Sequence, residues 1–114
     1  MEELKIYQKH YDLILYAFPI INRFPKAQRF VLGQQIQNCL LDIAKLIVQA
    51  NKQRGKLPTL AEIDIELEKL RLLIRLAKDL RLLAMKQYGL IAERIDEIGR
   101  LLGDWIKSQA PSPR

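Results

Sequence analysis

A single cysteine, Cys39, and a single histidine, His10, are all the thiol and imidazole the 114 residues contain. One cysteine cannot close an intramolecular disulfide, and no Cys/His group stands at metal-ligand spacing. The sequence therefore predicts a reduced compartment, no structural metal and no cofactor. Glycine and proline number only five each, too few to punctuate a meander of short strands. Long apolar runs are missing as well. The longest uncharged one, residues 13–21, falls far short of the roughly 20 residues that cross a bilayer. Glu2 and Glu3 stand where a signal peptide would be basic, so a cytoplasmic location without a membrane partner is expected.

What is present is apolar and helix-forming. A hydrophobic content of 49% supports one continuous core, and this length leaves nothing for a second. In residues 3–22, Leu4, Tyr7, Tyr11, Ile14, Phe18 and Ile21 follow steps of three and four, which predicts a first helix with one stripe. Pro19 falls inside it and should kink it or remove a hydrogen bond near Leu15. Pro25 is suited to begin a second helix, and Leu32, Ile36, Cys39, Leu40, Ile43, Leu46, Ile47 and Ala50 carry it to about Asn51. Gly33 should weaken it by about 1 kcal/mol relative to Ala. After a polar loop, Thr59 and Glu62 form a capping-box pattern for a third helix, expected over residues 60–83. A fourth is expected over 86–107, although Ala84 and Met85 offer it no polar cap. These elements make an all-α, up-down-up-down four-helix bundle over residues 1–108, with a disordered tail at 109–114.

Helix three carries a second apolar set. Ile65, Leu72, Leu76 and Leu83 fall nearly opposite the main stripe of Leu60, Ile63, Leu67, Leu70, Ile74 and Ala77. On helix two, Phe30, Leu41, Ala44 and Val48 likewise lie away from the core side. Such sets are either extra core under a kinked neighbour or a surface that meets another subunit. Two double-faced helices favour a homo-oligomer.

The net charge of +6 is uneven. Residues 23–56 hold seven basic groups against one acidic, whereas residues 57–68 hold four acids and no base. In an antiparallel bundle one pole collects Arg23, Lys26, Arg29, Arg81 and Lys86, and Arg71, Arg75 and Lys78 form a band climbing helix three toward it. Convergence from three segments, on a domain with a pI near 9.6, is the electrostatic footprint of a phosphate-backbone partner. No base-reading motif and no exposed aromatic platform is apparent, so binding should depend strongly on salt and weakly on sequence.

Candidate chemistry is thin. His10 and Asp12 are two residues apart and do not face each other on a helix, so His10 reads as a surface histidine and Cys39 as a buried thiol. The pairs Asp64/Glu68 and Glu93/Glu97 lack the Glu-x-x-His of di-iron bundles and read as solvated acids. Gly99 and Gly103 form a GxxxG whose neighbour Arg100 excludes a membrane helix, leaving close helix packing. Trp105 should pack over the bundle end or an interface. No catalytic residue is assigned, and no enzyme is expected.

Three segments carry a resemblance: Phe24-Pro25-Lys26-Ala27-Gln28-Arg29-Phe30-Val31-Leu32-Gly33-Gln34, then Lys86-Gln87-Tyr88, then Asp96-Glu97-Ile98-Gly99-Arg100-Leu101-Leu102-Gly103-Asp104-Trp105-Ile106-Lys107. Together they resemble the accessory variability determinant proteins of diversity-generating retroelements, over nearly the whole chain. That resemblance implies a four-helix bundle assembled as a homopentameric barrel with basic surfaces. It also implies partners, a retroelement reverse transcriptase with its template RNA, and possible contact with DNA. The polymerase would do the chemistry of mutagenic, adenine-directed cDNA synthesis. Two alternatives remain: a bundle protein of the ribosomal RNA intervening-sequence type, whose Glu-Gly…Arg motif is absent from helix two, and a structural oligomeric module without nucleic acid.

Overall fold

Four helices follow one another: α1, Glu2–Ile21; α2, which joins Lys26–Gln28, a π-helical turn at Arg29–Gly33 and Gln34–Lys52; α3, Leu57–Asp79; and α4, Met85–Gln109. The computed structural model describes residues 2–109, and apart from Gln109 the expected tail lies outside them. There is no strand among the described residues. Each helix packs on its two neighbours in a closed ring, α1 against α2 and α4, and α3 against α2 and α4, so the up-down-up-down order holds. The bundle measures 54 × 22 × 20 Å.

Helical periodicity explains the core. Ile36, Cys39, Leu40, Ile43, Ile47 and Ala50 of α2, Leu60, Ile63, Leu67, Leu70, Ile74 and Ala77 of α3, and Ile91, Ile95, Ile98, Leu102 and Trp105 of α4 are all buried. Each large aliphatic among them contributes about 1.5–3 kcal/mol by leaving water. On α1 the expected stripe is out of phase. The helix buries Ile6, His10, Leu13, Ala17 and Ile21, whereas Leu4, Tyr7 and Tyr11 are exposed. Large side chains pointed to the wrong face because the true stripe contains a histidine and an alanine. His10 is 1% exposed rather than on the surface. Leu83, expected at an oligomer interface, is a core residue at 5% exposure, because α3 ends four residues earlier and the chain turns inward.

Several boundaries moved for local reasons. α1 continues through Pro19. Thr59 does not cap α3, which starts at Leu57 with Pro58 in its first turn; Thr59 is buried and donates its hydroxyl to Gln53 Oε1. The ammonium of Lys56 closes α2 instead, donating to the carbonyls of Ala50 and Gln53, both at 2.6 Å. α3 ends in a Schellman arrangement. Leu82 N–H reaches Ala77 O at 2.8 Å, Arg81 N–H reaches Lys78 O at 2.9 Å, and Arg81 takes φ 63°. α4 gains its cap from within, because Gln87 Oε1 accepts the Ala84 N–H at 2.9 Å, the reciprocal half of a capping box. Gly33 closes the π-helical turn where a Cβ would stand 3.0 Å from Ile21 Cγ2, so close approach of α1 explains a glycine there. The GxxxG does not pack helices closely: an added Cβ at Gly103 meets nothing, and at Gly99 only the Arg71 side chain.

Candidate nucleic-acid interface

The turns from α1 to α2 and from α3 to α4 share one pole. Buried Phe24 plugs it, held by its N–H to Ile21 O at 3.0 Å, and extended Pro25 leads into α2. Asn22 ties the turn to α2, because its side-chain oxygen accepts from Gln37 Nε2 at 2.9 Å and its carbonyl accepts from Arg29 Nη1 at 3.2 Å. Arg29 thus lies half-buried along the turn, with its guanidinium 5.2 Å from the centroid of the Phe30 ring.

Among the described residues, Arg23, Lys26, Arg81 and Lys86 are exposed and make no ion pair. Lys86 sits in the first turn of α4, where the helix dipole disfavours a cation by a few tenths to about 1 kcal/mol. Local stability does not account for that placement.

The band on α3 is different. Arg71 Nη1 meets Asp96 Oδ1 of α4 at 2.9 Å, and its Nε lies 3.3 Å from Glu68 Oε1 without hydrogen-bond geometry. Arg75 and Lys78 both approach Asp79, at 3.9 and 3.6 Å, and Lys78 also lies 4.8 Å over the Tyr88 ring. Acid neutralises the band at each step, and Arg71 links two helices. The eight cations expected as one site therefore divide into an unpaired set at the pole, a paired band, and Arg29 committed to the turn.

The pole also carries large apolar side chains. Phe30 is 60% exposed and Met85 71%, with Val31 and Leu80 exposed beside them in sequence. Phe30, which the sequence places off the core as an expected oligomer contact, is thus an exposed aromatic at the pole, where no stacking platform was expected. The signal was available in Arg29-Phe30, but the π-helical turn that sets its phase was not.

Away from the pole, Ile65, Leu72 and Leu76 form an exposed ridge along α3, and Leu41 and Val48 are exposed on α2. Leu4, Tyr7, Tyr11 and Leu15 of α1, which sequence phasing missed, are exposed as well, with Tyr7 and Tyr11 stacked at 6.5 Å. An apolar cleft of about 190 Å³ runs between α1 and α2, lined by Tyr7, Tyr11, Ile14, Ala44 and Val48 among others. A larger groove of about 480 Å³ between α2 and α3 has mixed charge, from Asp42, Lys45, Glu62, Glu66 and Lys69.

Neither reactive group is set up for catalysis. Cys39 donates to Glu66 O at 3.3 Å, and burial, with Glu66 and Asp42 nearby, pushes its pKa up to about 11. Burial holds His10 below its ordinary 6.5, against the hydrogen bond to Leu40 that raises it. No group of three His, Cys, Asp or Glu among the described residues could hold a metal ion. No helix among them is long and apolar enough to cross a membrane.

A model of the family described as bAvd-like matches residues 4–109. No curated protein matches the chain at a significant level.

Proposed function

The chain belongs to the bAvd-like family, and from that premise we propose that it is a non-catalytic accessory protein of a diversity-generating retroelement. It binds the reverse transcriptase and the template RNA through its basic pole, supporting mutagenic cDNA synthesis that the polymerase carries out. The observation that carries the nucleic-acid part is the set of four exposed cations at one end of the bundle, Arg23, Lys26, Arg81 and Lys86, which have no ion pair among the described residues. Converging unpaired cations attract a polyanion and release its counterions.

Changing all four to Glu tests this directly. RNA binding across a salt series should weaken more than tenfold, and its log–log salt slope should flatten by about three, at roughly 0.7 per phosphate contact on a single strand. Wild-type affinity and slope in a variant of unchanged helicity would sink the reading.

The homopentameric barrel belongs to the same proposal. Its support is a pair of uncovered apolar faces of different composition, the α3 ridge and the α1–α2 cleft. Unlike faces suit a head-to-tail contact that closes into a ring. Charge is complementary across them: Glu62, Asp64, Glu66 and Glu68 occupy the first half of α3, whereas Lys45 lines the cleft. Sedimentation equilibrium should give a multiple of 13.3 kDa, and a monomer at micromolar concentration would overturn the assembly.

A further inference from the structure

Resting on the reading of the pole as a nucleic-acid site, we propose that Phe30 is a stacking platform for an unpaired base, so that the pole takes single-stranded nucleic acid in preference to duplex. Phe30 stands on the π-helical turn at 60% exposure, outside a core that is closed beneath it by buried Leu32 and Gly33. Nothing in the packing of the bundle calls for a phenyl ring there. π-Helical turns recur at functional sites because the added residue re-aims its neighbours.

The ring is also held. Arg29 lies 5.2 Å from its centroid, and Arg29 Nη1 is itself fixed to Asn22 O at 3.2 Å. One guanidinium covers one face of a ring, which leaves the other for a planar partner. Within the same turn and its approach lie Arg23 and Lys26, both exposed and free of ion pairs among the described residues.

This combination discriminates between ligands. A duplex would use the cations but not the ring, because its bases are already stacked in pairs and its deep groove excludes side chains. A second copy meeting this pole with its own pole would use the ring but would leave the unpaired cations facing one another. A single strand uses both, with phosphates on the cations and one base on the ring.

The test compares a ten-nucleotide oligouridine with a blunt RNA duplex of similar total charge, each titrated against wild type, Phe30→Leu, Phe30→Trp and the four-cation Glu variant. Phe30→Leu should lose about tenfold in affinity for the single strand and nothing for the duplex. Phe30→Trp should restore single-strand binding, with its indole fluorescence quenched on titration. Equal affinities of Phe30→Leu and wild type for oligouridine overturn the stacking role, as does an equal loss on both ligands. If the four-cation variant still loses binding in that case, the pole reading survives while this inference fails. A changed sedimentation mass for Phe30→Leu would make Phe30 a subunit contact and overturn the inference as well.

Discussion

The imidazole of His10 in α1 donates its Nε2 proton to the carbonyl oxygen of Leu40 in α2 at 2.8 Å, while its Nδ1 is buried without a partner. The carbonyl can only accept, which fixes the neutral ring with its proton on Nε2. A second proton would put a charge and an unsatisfied N–H into the α1–α2 contact.

Stability should therefore fall on acidification. The folded pKa of His10 lies below its unfolded value near 6.5, so below about pH 6.5 the unfolded chain binds more protons and stability drops as the pH falls. The loss from this one group is at most about 2 kcal/mol between pH 6.5 and pH 5. Urea denaturation of wild type and His10→Leu at pH 7 and pH 5 checks it. The variant should lose less stability over that interval, and parallel losses would remove His10 as the source.

Glycine substitutions should split by location. Gly103→Ala and Gly89→Ala add a Cβ to open space inside a helix, and each should gain about 0.5–1 kcal/mol. Gly33→Ala pushes a Cβ to 3.0 Å from the buried Ile21 side chain and should be destabilised by about 1 kcal/mol or more. Thermal melts of the three variants would show midpoints above and below wild type respectively.

Arg81 is the one non-glycine residue with positive φ among those described. Arg81→Gly relieves that backbone and should raise stability by up to about 1 kcal/mol. The same change removes one of the four pole cations, so RNA affinity should fall while the melting midpoint rises. Opposite signs in the two measurements separate a binding residue from a structural one.

The two apolar faces can be tested singly. Leu72→Asp on α3 and Tyr11→Asp on α1 alter exposed side chains, and each should leave monomer helicity unchanged. Either should shift sedimentation toward 13.3 kDa, because a head-to-tail ring needs both faces on every subunit. Mixing the two variants should give dimers through the one intact pair of faces, and a failure to do so would exclude this pairing.

Much of the fold is legible in the sequence. Periodicity located four helices, the buried stripes of α2 and α3, and the cations that reach one pole. Three things were not. The phase of α1 was misjudged because a histidine and an alanine hold core positions that larger residues nearby claim on hydrophobicity alone. The stop of α3 at Asp79 was hidden because Arg81 does what glycine usually does. The cap of α4 was hidden because Gln87 reaches back from the third helical position.

The sequence by itself determined the fold class, the single core and the excess of positive charge, because these follow from spacing and composition along one chain. The tertiary structure decided which charges are free. Arg71 looks like Arg23 and Arg81 in sequence, but only packing brings Asp96 of α4 beside it, whereas Arg75 and Lys78 meet Asp79 within their own helix at spacings the sequence already contains. Four cations without ion pairs among the described residues, at the end of the bundle that also carries an exposed ring, are a property of the pole, and the pole exists only once α1 to α4 are folded against one another.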